Sequence, residues 1–347
     1  MIDWRIAAQV AEMVAGAQPA PDGAAFHAVA APTAESERLV LAYTGLQVPG
    51  PLPGPEPVGR RAWIDANLAS LRNVLDPVAG KLGDGLGVLR GPLTAAAGLV
   101  VAVEVGVVSG LLAQRVLGQY EFPVLDPQGP ARLLFVAPNL ARAGESLEAT
   151  PEDLLRWVAL HETTHAVQFG GVPWLRDHLA GMVRELLGSV TIDPGNLRLP
   201  QGTDLRSLVD RVREGGVVAL VVGPERRGTM DQLQAFMAVL EGYAEHVMDA
   251  AGAALLPDLP RLRAALERRR RDRSGLMRVL ERLLGFDLKL RQYEQGKAFC
   301  DAVVARGGIT ALNRVWGGPE SLPTLAEIEA PHRWLARLDG PAAQLSA

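Results

Sequence analysis

Residues 159–169 read ALHETTHAVQF, and this stretch decides how the chain is read. His161-Glu162-Thr163-Thr164-His165 is an H-E-x-x-H pentapeptide. Histidines four residues apart on a helix point the same way, one turn above the other. Two imidazoles so placed can hold one zinc ion, and the glutamate beside the first can serve as general base toward water at that ion. The chain contains only 6 histidines in 347 residues, so the pattern is hard to obtain by chance.

The flanking residues predict the helix that the motif needs. Thr150 suits an N-cap, Pro151 suits the first helical position, and Glu152 and Asp153 complement the helix dipole. Gly170, Gly171 and Pro173 end it. Leu154, Val158, His161, His165 and Phe169 recur at spacings of three and four, so both histidines lie on the face turned into the protein. A buried imidazole needs partners for its nitrogens, and a metal is one such partner.

A hydrolytic zinc site takes three protein ligands and leaves one position open. The place to look for the third is a second helix. Residues 229–250, TMDQLQAFMAVLEGYAEHVMDA, predict one, with Thr229 and Gln232 at capping-box spacing. Leu233, Phe236, Met237, Leu240, Ala244 and Met248 form its apolar stripe, and Glu241 and Glu245 fall within it. An unpaired buried carboxylate costs several kcal/mol, so two on an inner face call for a cation or a histidine. One metal site would account for the polar residues on both inner faces. The alternative is a metal-free helical protein whose histidines and acids pair with one another.

HExxH followed downstream by E-x-x-x-D/E resembles the gluzincin metallopeptidases. That resemblance implies Glu241 as third ligand and Glu245 as the acid that orients a histidine ligand. Glu245 stands where that group more often has Asp. The blocks ALHETTHAVQF, LEGYAEHVMDA, VLGQYEFPVL and LKLRQYEQGKAF, between Trp63 and Trp334, are similar to a bacterial family described as zinc-dependent metalloproteases or hydrolases. Some of its members are associated with deazaflavin-coenzyme biosynthesis.

The expected fold is mainly α, a zincin-like core with a small β-sheet at most and additional helices. Three regions are expected to pack as one unit. Residues 1–90 form an N-terminal helical region, 91–256 the core with both motifs, and 257–347 a C-terminal helical region. Helices are expected at 1–16, 63–75, 175–187 and 288–304, and short strands near 38–43 and 131–137. The glycine-rich stretch 80–91 reads as a turn, and the Pro/Gly loop 191–202 as a rim of the cleft. Residues 217–222 are apolar and β-branched, suiting a strand or a buried loop. Thr324 and Glu327 have capping-box spacing.

A net charge of −4 offers nucleic acid no general attraction. The arginine run 268–271 reads as a solvated helix face. The lone cysteine, Cys300, excludes an internal disulfide and reads as a small packed hydrophobe. The N-terminus lacks the order of a signal peptide, so a cytoplasmic location is expected. Residues 92–113 are long enough to span a bilayer, but Glu104 near their middle would be costly there. They read as a Gly/Ala-rich helix packed closely in the core, with a membrane-associated metalloprotease as the lesser reading.

The chemistry these residues support is zinc-assisted hydrolysis of an amide, most simply a peptide bond in a peptide or protein substrate. His161, His165 and Glu241 hold one Zn2+, Glu162 is the base, and Tyr293 is a candidate donor to the oxyanion. The alternative class is a non-catalytic zinc-binding scaffold, although a purely structural zinc would have no need of Glu162.

Overall fold

The computed structural model describes residues 2–17, 21–85, 90–147, 150–188, 227–253, 255–256, 261–265 and 291–340. The expected rim loop 191–202, the stretch 217–222 and the arginine run 268–271 lie outside these. The described chain is mainly helical, with one three-stranded sheet.

Near the N-terminus, α1 (Trp4–Ala15) starts at Asp3, whose carboxylate accepts from the amides of Arg5 and Ile6. α2 (Gly23–Thr44) starts at Asp22 and stops at Gly45, whose φ of 67° admits the left-handed conformation. The strand expected near 38–43 is therefore helix. Val29, Thr33, Ser36, Val40 and Thr44 are its buried positions, at helical rather than alternating spacing, and they pack on the motif helix. Pro32 is carried inside the helix.

β1 (Pro55–Val58) leads into α3 (Arg60–Gly85) and α4 (Arg90–Ala113). The expected turn at 80–91 begins too early, because α3 continues through Gly85. α4 packs on α1 through small residues. A Cβ on Gly106 or Gly110 would stand 2.6 Å from the carbonyl oxygen of Ala7 or Ala11. The other face of α4 leaves Leu99, Val100 and Val103 exposed, so the helix is packed closely on one side only and is not enclosed by core. Among the described residues, no helix is long and apolar enough to cross a membrane.

β2 (Gly118–Glu121) and β3 (Arg132–Val136) complete the sheet, in the order β1-β3-β2. β1 and β3 are parallel, and β2 and β3 antiparallel, with Tyr120 opposite Leu133. β2 is therefore an edge. Two helices follow, α5 (Ala137–Leu147) and the motif helix α6 (Pro151–Gly171). Thr150 caps α6 through the Asp153 amide, with Pro151 at its first position.

After α7 (Leu175–Gly188) comes the long α8 (Arg227–Gly252), which carries the second motif. It begins before Thr229, so the expected capping box does not form there; the Thr229 hydroxyl instead donates to Glu185 at 2.8 Å. α9 (Arg291–Asn313) crosses α8 where Gly242 meets Gly296. A Cβ on either would come within 2.2 Å of the other helix's backbone. Only glycine at both positions permits so close a crossing. The capping box of Thr324 and Glu327 opens α10 (Leu325–Glu329), and α11 (Pro331–Asp339) ends the described chain.

The largest core lies between α6, α8 and α9, filled by Leu160, Val167, Phe236, Tyr243, Phe299 and Trp334. Each such side chain contributes about 1.5–3 kcal/mol by leaving water. Cys300 is packed there too, and burial pushes its thiol pKa up, which suits a hydrophobe and not a nucleophile.

Candidate metal centre

Helical geometry alone brings His161 and His165 together. Their Nε2 atoms are 3.3 Å apart. The packing of α6 on α8 then brings in Glu241, whose Oε2 is 3.7 Å from each of the two nitrogens. Among the described residues these three form a cluster able to hold an ion. Tetrahedral zinc with bonds of about 2.0–2.2 Å spaces adjacent ligands about 3.4 Å apart. The donor triangle therefore fits zinc without rearrangement. Its chemistry fits as well, because two imidazole nitrogens and a carboxylate oxygen, the donor types zinc takes, are grouped together.

The surroundings hold the donors in place. The His161 ring lies parallel to Trp157, with 5° between planes, and its Nδ1 is 3.1 Å from the Met248 sulfur. His165 Nδ1 is 2.8 Å from Oε1 of the fully buried Gln168. The Gln168 side-chain amide in turn donates to the Leu240 carbonyl, next to Glu241. Gln168 lies seven residues beyond His161 on the same buried face. The sequence places it there but does not reveal what it touches.

Glu162 is 8% exposed and points at the outer edge of β2. Its Oε2 accepts the Tyr120 backbone N–H at 2.8 Å. Gly118 allows this approach, because a Cβ there would lie 2.8 Å from the Glu162 Cγ and 2.6 Å from the Val158 Cγ1. Burial raises the Glu162 pKa to about 7, against the lowering effects of nearby His165 and the Tyr120 amide. For His165, burial lowers the pKa, but the facing Glu241 carboxylate outweighs it and the net direction is up. A buried carboxyl that gains and loses a proton near neutrality is suited to acid–base work.

Glu245 lies one turn beyond Glu241, and its carboxylate accepts from Arg263 at 3.1 Å. Arg263 also pairs with Asp249, which Lys297 approaches at 3.0 Å. Tyr243 and His246 face other helices: Tyr243 donates to Asn313, and His246 lies between Tyr43 and Asp301. Tyr293 is in the first turn of α9, and its side chain lies outside those described.

A cleft of about 330 Å³ opens beside His165 and Glu241. β2 and α3 form its walls, with Phe122, Phe169, Met237 and Leu240 giving it a mostly apolar surface. Arg176 on α7 secures the chain after β2. It donates to the Tyr120 hydroxyl and the Gly129 carbonyl and lies over the Phe122 ring.

The chain is similar to known proteins over nearly its whole length. A family model described as zincin-like metallopeptidase matches residues 2–335. The chain is also similar to a crystal structure of a presumed hydrolase with a novel fold from Chloroflexus aurantiacus. The two are 34% identical with a TM-score of 0.75, over 98% of this chain and 99% of that one. No curated protein matches.

Proposed function

We propose a function from one established premise: this chain belongs to the zincin-like metallopeptidase family. The reading is a zinc-dependent hydrolase that cleaves a peptide bond. The observation that carries it is the triangle of His161, His165 and Glu241, with spacings of 3.3, 3.7 and 3.7 Å, beside a buried Glu162.

In this reading His161, His165 and Glu241 hold the metal. When bound, zinc supplies a Lewis acid that polarises a carbonyl and makes water acidic near neutral pH. Glu162 takes the proton from the attacking water and passes it to the leaving amine. Tyr120, through its backbone N–H, holds the Glu162 carboxylate toward β2. Glu245, whose carboxylate accepts from Arg263, is the acid proposed to orient a histidine ligand. Tyr293 is the proposed donor to the oxyanion. The apolar cleft along an edge strand suits a peptide better than a highly charged substrate.

The test pairs metal content with turnover. Elemental analysis should find about one zinc per chain, much reduced in Glu241→Ala. A peptide library should then show cleavage by the zinc-loaded protein and none by Glu162→Gln. Bound zinc without Glu162-dependent cleavage would leave a zinc-binding scaffold and end the hydrolase reading.

A further inference from the structure

We propose that Gln168 is a positioning residue that couples the two helices of the metal centre, setting the tautomer of His165 and the placement of Glu241 at once. This role presupposes the metallohydrolase reading and names a residue it does not otherwise need.

Hydrogen-bond polarity fixes the role of each atom. The Leu240 carbonyl oxygen can only accept, so the Gln168 atom 3.1 Å from it must be the amide nitrogen. The Gln168 oxygen then faces His165 Nδ1 at 2.8 Å, and an amide oxygen also only accepts. His165 Nδ1 must therefore carry hydrogen. In the neutral ring Nε2 then bears the lone pair, and Nε2 is the nitrogen that faces His161 and Glu241.

One side chain thus joins a ligand on α6 to the backbone of α8, one residue before the next ligand. Gln168 has no exposed surface, and a buried amide is costly unless both its ends are bonded. A leucine of similar size would fill the same space and break both links. A glutamate would keep an acceptor for His165 but could not donate to Leu240.

The experiment measures zinc affinity by competition with a chromophoric chelator, and the visible absorption of the cobalt-loaded protein. Wild type, Gln168→Leu and Gln168→Glu are compared, each also unfolded in its metal-free form. Gln168→Leu should bind zinc about 10–100-fold more weakly and shift the cobalt bands. Gln168→Glu, which keeps the acceptor for His165 and loses the donor to Leu240, should recover only part of the affinity. Wild-type affinity and spectrum in Gln168→Leu would overturn the proposal, whatever the change in metal-free stability.

If Gln168→Leu does not fold, nitrogen-15 spectra of histidine in the zinc-loaded wild type decide. Coordination of His165 through Nε2 supports the assignment, and coordination through Nδ1 overturns it. A wild type that binds no zinc fails at the first measurement and removes the metallohydrolase reading itself. Failure at Gln168 alone leaves that reading standing.

Discussion

Glu162 and Tyr120 are joined by a 2.8 Å hydrogen bond from the backbone of an edge strand to a buried carboxylate. The bond points the side chain of the expected base at the sheet. Because the donor is a main-chain amide, it is positioned by the sheet and by whatever lets β2 lie against α6.

Glu162→Gln is nearly the same size and leaves the three ligands untouched. The variant should retain zinc and lose hydrolysis by a factor of about 10²–10⁴, the usual contribution of a positioned proton-transfer group. Zinc content and peptide turnover are measured on the same preparation; turnover near the wild-type rate would remove Glu162 from the role of base.

Gly118→Ala tests the approach of β2 to α6. The added methyl would meet Val158 and Glu162 at 2.6 and 2.8 Å. Overpacking of this kind costs about 1–3 kcal/mol. The expected result is a lower unfolding midpoint and impaired turnover with zinc still bound, read by denaturant titration and elemental analysis.

Glu241→Ala removes the ligand brought in by α8. Zinc content should drop sharply while the helical circular-dichroism signal persists, since the side chain is 26% exposed and its loss opens little core. Zinc retained at the wild-type level would mean that the carboxylate is not a ligand.

The metal-free protein should lose stability as pH rises. Burial, working against His165 and the Tyr120 amide, raises Glu162 to about 7 from its ordinary 4.5. Glu241, working against burial, raises His165 to about 9 from 6.5. Both groups therefore bind more protons folded than unfolded. The Glu162 contribution is lost between about pH 4.5 and 7, and that of His165 between about 6.5 and 9. Denaturant titration of chelator-treated protein across this range should show the decline. Glu241→Gln should flatten its upper part, and stability that climbed through the window would contradict the assignment.

Gly296→Ala should be more damaging than an ordinary surface change, because its Cβ would stand 2.0 Å from the Ala238 carbonyl oxygen. α8 and α9 would have to separate, moving the helix that carries Glu241. A fall in both thermal midpoint and zinc affinity is expected, measured by calorimetry and chelator competition.

The motif helix was readable because its signals are local. The cap at Thr150, the proline at 151 and the three-and-four spacing of Leu154, Val158, His161, His165 and Phe169 all act within one helix. Residues 38–43 suit a strand in sequence because their apolar residues admit either periodicity over so short a run, and packing against α6 selects the helix. The exposed face of α4 was also not legible, since hydropathy alone does not tell which neighbours a helix has. Gln168 could be placed on the buried face, but its two partners could not be named.

By itself the sequence determined that two histidines and a glutamate stand on one helix turn, and that a second helix offers carboxylates from an apolar face. Those relations depend on the 3.6-residue period and hold wherever the helix lies. Only the tertiary structure decided that Glu241 lies 3.7 Å from both histidines, that the Tyr120 amide reaches Glu162, and that Gln168 links the two helices. These distances join residues far apart in the chain. They depend on how closely whole elements pack, and here glycines at 118, 242 and 296 decide how closely.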